Sequence, residues 1–504
     1  MIFLPDDVDY STMPDYGEDI NNENLQLAKQ IFAIPTLPTS NARDGTHNTR
    51  ALSELGNAER LNDTHNGNLH YVSDCKAWLY WRKDAWLWDT DGAVIRSLAA
   101  KLPQQIYSEG AGHLANSEYF AKWSRTSQTE RTVLASVSML SDFETVRLPL
   151  ALVDADAFKV GFDQAQQVID LKTGAARPAL QSDLITKSLN VSVLGDATKA
   201  LRWQAFLSQV FDDDVELIDW LKRWCGYMLT GSTSDQIFIF CFGLGANGKS
   251  VFGDILRYIL LDYARAIASE TLTDSKRDAG SASPDLAELV GARLAICGET
   301  EDGQALAESL VKGLVSGDTM TVRKLRCDPF QFTPQFKLMV LGNHKPIIKG
   351  NDYGIWRRVR LIPFRRIFKP EERDAGLAEK LKAEAPHILA WMVDGCLDWQ
   401  KRGLSDTPKT ILEATCGYQE EQDLIGGWLN ECCEMSPHNE MSSTELYTSY
   451  KDWCIANGLR PSSNVALGRR LSERGLNCRQ SSGKRLWSGI AIIFNGQTDY
   501  AANF

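Results

Sequence analysis

The spacing of hydrophobic positions along this chain changes several times, and each change predicts a new element. A helix-like segment opens the stretch from Ala51 to Ala99. It is followed by Trp78, Tyr80, Trp81, Trp86 and Trp88 set among polar residues, which predicts strands of a small α/β domain. Between Phe158 and Asn190, the run Val168, Ile169 and Leu171 followed by Gly174 and Pro178 predicts short strands and turns that close this domain. From Lys199 to Leu229 the period becomes helical, through Trp203, Phe206, Leu207, Val210 and Phe211, then Leu217, Ile218, Leu221 and Trp224. Gln236 to Phe242 is a near-continuous apolar run of strand length, and Arg293–Gly298 and Lys337–Leu341 repeat that pattern. Near the C-terminus, Ser442 followed three residues later by Glu445 predicts a capped helix through Trp453. A second helix over Ser463–Arg474 and a strand pair through Ile492 give a winged-helix order.

Composition narrows the classes. The chain has 504 residues, 43% of them apolar, with 54 Lys and Arg against 65 Asp and Glu for a net charge of −11. At about 150 residues per domain this length corresponds to roughly three to four domains, which excludes a small disulfide scaffold. No stretch of 18 apolar residues and no basic leader occurs, so neither membrane spanning nor secretion is expected and the cytoplasm is. The eleven cysteines are scattered singly apart from Cys432 and Cys433, without a CxxC pair, and no HExxH is present; structural zinc is not expected. The first 24 residues hold seven acids and no base, the composition of a flexible or peripherally docked arm. An acidic total opposes a basic coat, so a polyanion must be met by local patches.

The apolar strand ending at Phe242 runs into Gly243-Leu-Gly-Ala-Asn-Gly-Lys249-Ser250 and then into an apolar-periodic helix. This is the phosphate-loop pattern in its strand–loop–helix setting. Glycines let backbone N–H groups turn toward phosphate oxygens, and the helix N-terminus adds partial positive charge. Gly243, Gly245, Ala246, Asn247, Gly248, Lys249, Ser250 and Val251 form the candidate nucleotide loop. Lys249 is placed to reach the β and γ phosphates of ATP, and Ser250 to hold Mg²⁺.

Fifty residues after Lys249, the strand Arg293–Gly298 ends in Glu299-Thr-Glu301. Glu299 is the metal-side candidate and Glu301 a second acid, a candidate base for the attacking water. The third strand leads to Asn343, a candidate contact for the γ-phosphate or the lytic water. Further on, Arg357 and Arg358 precede another apolar strand; such a pair is either surface charge or a stabiliser of transition-state charge in a neighbouring subunit.

Together, GLGANGKS, LAICGETE, SGDTMTVRKLRCDPFQFTP, LMVLGNHKP and GIWRRVRLIPF resemble, in composition and order, a superfamily III helicase of the phage, plasmid and poxvirus primase-helicase family. The resemblance extends over the aromatic domain before the helicase part and over residues 371 to 424 after it. It implies an AAA+-type P-loop core in an α/β chain and a ring, hexameric, moving 3′ to 5′ on a single DNA strand. It further implies a setting of phage or mobile-element replication, with a primase among the partners. It matches the nucleotide loop, the acid Glu299, the sensor Asn343, and Arg357 or Arg358 as arginine finger. The Glu-Thr-Glu sequence departs from the family's acidic pair and leaves the base unassigned; Lys345 is either a further trans contact or a surface lysine.

Between Gly317 and Pro334 the pattern predicts a β-hairpin with Asp328-Pro329 at or near its turn, and Lys324 and Arg326 as pore contacts to phosphates; Arg323 matches a family motif arginine. From Arg460 to Arg485 there are seven bases and one acid, and Arg469, Arg470, Arg474, Lys484 and Arg485 are candidate DNA contacts beside Trp487. The boundaries expected are an acidic arm over 1–45, an N-terminal α/β domain over 46–195 and a helical collar over 196–232. An ATPase core over 233–368, a helical follow-on over 369–424 and a winged-helix-like basic domain over 425–504 complete the chain. The functional expectation is an ATP-dependent, ring-forming DNA helicase. Primer synthesis by the same chain, and an ATP-switched origin-binding protein without unwinding, are the alternatives.

Overall fold

The aromatic-rich run folds as a three-stranded antiparallel sheet, β1 (Leu69–Val72), β2 (Ala77–Arg82) and β3 (Ala85–Asp89), preceded by helix α1 (Glu54–His65). The computed structural model describes residues 50–273, 284–298, 303–323, 329–348, 353–481 and 484–493. The described residues form two compact units, 50–153 with 180–186, and 154–179 with the described residues from 187 to 493. In the first, Trp78 and Trp86 are buried, and the Trp86 indole donates to the Gln181 carbonyl at 2.9 Å while Trp88 donates to Thr186 Oγ1 at 3.2 Å. A buried indole needs such a partner; Trp78 and Trp86 lie in the core, and Trp88 is half-buried beside it. The Asp89-Thr-Asp91-Gly turn is local structure: Asp89 accepts from the Ile95 amide and Asp91 from that of Ala93. Helices α2 (Ala93–Ala99), α3 (Leu102–Ala111), α4 (Ser117–Thr126) and α5 (Glu130–Leu140) complete this unit around Ile95, Leu102, Ile106, Phe120 and Leu140.

The second unit opens with a small antiparallel sheet, β4 (Lys159–Phe162), β5 (Gln167–Asp170) and β6 (Ala175–Pro178), where short strands are predicted. The sequence pattern assigns this segment to the N-terminal domain. In the structure Val160, Phe162, Ile169 and Leu171 join the same core as Trp203, Trp220 and the large sheet, because their apolar face is completed there. Helices α6 (Leu201–Val210) and α7 (Val215–Leu229) follow, the latter capped by Asp214, which accepts from the Leu217 amide at 3.0 Å.

Five parallel strands form the centre: β7 (Phe238–Phe242), β8 (Ala264–Ile267), β9 (Leu294–Cys297), β12 (Lys337–Gly342) and β13 (Val359–Pro363), in spatial order β13-β7-β12-β9-β8. The intervening β10 (Met320–Val322) and β11 (Phe330–Phe332) pair separately as an antiparallel hairpin. A parallel sheet must be covered on both faces, and the near-continuous apolar runs supply both. Ile239, Cys241, Ile296, Met339 and Ile362 meet α8 (Lys249–Leu260) on one face. Phe238, Phe240, Leu338, Val340 and Leu361 pack with α9 (Glu308–Ser316) on the other.

After β13 come α10 (Leu377–Ala383), α11 (Ala385–Arg402) and α12 (Lys409–Gln422). Helices α7 and α11 cross backbone to backbone: a Cβ on Gly226 would lie 2.0 Å from Cys396 N, and one on Gly395 2.1 Å from the Lys222 carbonyl oxygen. The last module contains α13 (Leu424–Cys432), β14 (Cys433–Ser442), α14 (Ser443–Ala456), α15 (Asn464–Glu473), β15 (Asn477–Ser481) and β16 (Lys484–Ile492). The predicted capping box is present between Ser442 and Glu445. Strand β14 has no counterpart in the sequence pattern. Its polar run contains Pro437, and it pairs as an edge beside β16 with a register shift between Met435 and Glu440, where proline is tolerated. No helix among the described residues is long and apolar enough to cross a membrane.

Candidate nucleotide and nucleic-acid sites

The loop from Gly243 to Gly248 leaves the carboxyl end of β7 and turns through left-handed conformations at Gly245 (φ 105°), Ala246 (φ 48°) and Gly248 (φ 89°). Helix α8 then starts at Lys249 after the N-cap Gly248, which has no side chain to cap it, and beyond the Lys249 amide its first-turn N–H groups have no intrahelical acceptor. A Cβ on Gly243 would lie 2.2 Å from Asn247 Nδ2 and 2.5 Å from the Phe364 carbonyl oxygen; glycine is required there by close approach. Asn247 is buried, donates from Nδ2 to Phe364 O at 3.3 Å, and accepts from the Lys249 amide at 3.4 Å. The Phe368 amide donates to Ala246 O at 2.8 Å on the same side.

Lys249 is only 5% exposed, and its ammonium donates to neutral oxygens: Gly243 O, Asn247 Oδ1 at 3.3 Å and Asn343 Oδ1 at 2.9 Å. Asn343 reaches it because β12 lies directly beside β7 and both strands end at the same edge. Ser250 is exposed in the first turn of α8, and Val251 is half-buried. An amide-lined loop, an uncapped helix start and a buried ammonium suit a polyphosphate, with Ser250 the hydroxyl available to its metal ion. Glu299 and Glu301 lie outside the described residues; the strand leading to them, β9, ends at the same sheet edge as β12.

Arg357 and Arg358 stand before β13, at the amino edge of the sheet, whereas the phosphate loop follows the carboxyl edge of β7. The structure therefore does not bring them to Lys249 of the same chain. It also separates the two. Arg358 is 9% exposed and donates to Gly354 O at 2.6 Å and Ser316 Oγ at 2.7 Å. Arg357 is exposed and donates to Gln236 Oε1 at 2.7 Å. In the sequence Gln236 is only the polar first residue of the run to Phe242, with nothing to mark a chemical role. Lys345 pairs with Glu421 at 2.6 Å and lies 4.9 Å from the Phe242 ring centroid, so its charge is engaged within the chain.

Lys324 and Arg326 lie outside the described residues, between β10 and β11 in sequence; Arg323 is exposed just after β10. In the last module Arg469 is exposed on α15, 3.8 Å from Glu473, and Arg470 is half-buried. Lys484 and Arg485 are exposed at the end of the β15–β16 hairpin. Arg474 is paired with Asp423, the N-cap of α13, which ties α15 to that helix. Trp487 is 4% exposed and belongs to the module's core. Among the described residues no group of three His, Cys, Asp or Glu is placed to hold a metal ion.

Comparison with known proteins finds a D5 N terminal like family over residues 58–212, and a family of unknown function (DUF5906) over residues 241–358. The putative helicase 022R of Frog virus 3 is 30% identical over 323 residues, covering 59% of this chain and 32% of the relative. The putative helicase L207/L206 of Acanthamoeba polyphaga mimivirus is 28% identical, covering 60% and 34%. The putative primase C962R of African swine fever virus (strain Badajoz 1971 Vero-adapted) is 23% identical, covering 51% and 29%. The chain thus spans about a third of the length of the curated relatives it matches. Among solved structures, the apo C terminal region of NrS-1 superposes with a TM-score of 0.47 at 10% identity, over 86% of this chain and 98% of that one. The chain thus carries a D5 N terminal like segment ahead of a region similar to putative viral helicases and primases, which supports the resemblance to the primase-helicase family with its preceding domain.

Proposed function

We propose that the chain is the motor of a ring-forming DNA helicase, hexameric in our reading, that hydrolyses ATP to translocate on single-stranded DNA and open duplex during viral or mobile-element replication. The observation that carries this is the contact between Lys249 and Asn343 at the end of adjacent parallel strands, with the amide-lined loop around it. Bound Mg²⁺–ATP supplies the phosphoanhydride whose hydrolysis drives the motor. The loop amides and α8 N-terminus hold its phosphates, and Lys249 turns from Gly243, Asn247 and Asn343 toward them. That motion releases the Asn343 carboxamide to orient the attacking water. Glu299 or Glu301 polarises that water.

The strand order β13-β7-β12-β9-β8 supports the reading of an AAA+-type core, with α6 and α7 read as its collar. Arg357 sits at the opposite edge from its own phosphate loop, which favours action on a neighbouring subunit's nucleotide and hence a ring. The order α13-β14-α14-α15-β15-β16 supports the winged-helix reading of the last module. Its exposed Arg469, Lys484 and Arg485 suit duplex phosphates, while Lys324 and Arg326 are assigned to the pore. The test is ATP turnover and strand separation on a forked DNA. DNA-stimulated hydrolysis with separation is the expected result. Hydrolysis without separation would favour an ATP-switched binding protein, and absence of both would sink the motor reading.

A further inference from the structure

We propose that Gln236 is the positioning residue of the arginine finger. The inference rests on the reading of Arg357 as that finger. Gln236 lies two residues before β7, and its backbone is left-handed, with φ 51°. A glycine would take that conformation without strain, so what the position holds is the side chain. Its Oε1 accepts from Arg357 Nη2 at 2.7 Å and from Arg358 Nη2 at 3.3 Å. Arg358 is itself fixed by Gly354 O and Ser316 Oγ, so the carboxamide is anchored from the buried side and orients the exposed guanidinium on the other.

The chemistry of the acceptor matters. A carboxylate here would hold Arg357 in an ion pair and cancel the charge that a phosphoryl group in the next subunit needs. A neutral amide oxygen sets direction while leaving that charge available, and among the described residues no carboxylate pairs with Arg357. Gln236 leads into β7, whose carboxyl end carries the phosphate loop, and β7 pairs in continuous register with β13, which follows Arg357 and Arg358. The finger that a subunit offers its neighbour is therefore braced by the segment that leads into the strand holding its own nucleotide loop.

The test compares Gln236→Glu, Gln236→Gly and Arg357→Ala in the full chain, measuring DNA-stimulated kcat, KM for ATP and Tm. Gln236→Glu should raise Tm yet lower kcat about tenfold or more, with KM changed by no more than about twofold, because the finger is pinned and misaimed. Gln236→Gly should lower kcat similarly without loss of Tm, and added to Arg357→Ala it should cause no further loss. A merely structural glutamine predicts that activity follows stability. Wild-type turnover in both Gln236 variants beside a slow Arg357→Ala would overturn the assignment of Gln236 alone. Wild-type turnover in Arg357→Ala would remove the finger and this inference with it.

Discussion

The ammonium of Lys249 lies 2.9 Å from Asn343 Oδ1, although 94 residues separate them in sequence. This contact gives the two residues separable roles. Lys249→Ala should abolish nucleotide binding and unwinding together. Asn343→Ala should leave the ATP Kd within a few-fold and lower kcat by about 10²–10³, the usual loss for one transition-state donor. Equilibrium binding of a fluorescent ATP analogue beside steady-state turnover distinguishes them; equal loss of binding in both variants would merge the roles.

Gly243 tolerates no side chain, since a Cβ would collide with Asn247 Nδ2 and the Phe364 carbonyl. Gly243→Ala should break the tie between the phosphate loop and the end of β13, weakening ATP binding at least about tenfold with a stability loss of about 1–3 kcal/mol. Isothermal binding and urea unfolding measure the two effects.

A buried lysine gives a pH signature. Lys337 is 2% exposed, donates to Thr230 O at 2.6 Å and lies 4.2 Å from the Tyr227 ring centroid; burial, then the neighbouring Arg293, pushes its pKa well below the ordinary lysine value. Between that lowered value and about 10.4 the unfolded chain binds more protons than the folded one, so this residue's contribution to stability rises with pH. Lys337→Met should equal or exceed the wild type in stability at pH 7.5. The wild type should gain on it at pH 9.5, by at most about 1.4 kcal/mol per pH unit. Urea unfolding of both at the two pH values is the check, and a constant difference would contradict it.

The basic residues of the last module divide into two sets. Lys484→Ala with Arg485→Ala should lower the slope of log affinity against log salt by about 2 without changing Tm. Arg474→Ala should instead loosen the module, because Arg474 holds Asp423 at the start of α13. DNA titrations at several salt concentrations and a thermal melt separate these outcomes.

The phosphate loop was legible in the sequence because everything that makes it is local: an apolar strand, glycines at left-handed positions and a helix beginning at Lys249. The Ser442–Glu445 capping box and α15 were legible for the same reason, since a cap and a 3.6-residue period span only a few residues. Four helices between Ala93 and Leu140 were weaker signals, because their first-unit core is shared among short elements with many polar positions.

Strand order was decided only by tertiary structure. Nothing in β7, β12 or β13 alone states that β7 lies between the other two, yet that order sets Asn343 on Lys249 and carries Arg357 to the far edge. The same holds for the difference between two adjacent arginines, for the pairing of Arg474 with Asp423, and for Gln236 beneath Arg357. The sequence determined the chemistry available at each position, through residue type and local period. Which groups meet was determined by the pairing of strands and the shared burial of faces distant in the chain, for which a local pattern holds no signal.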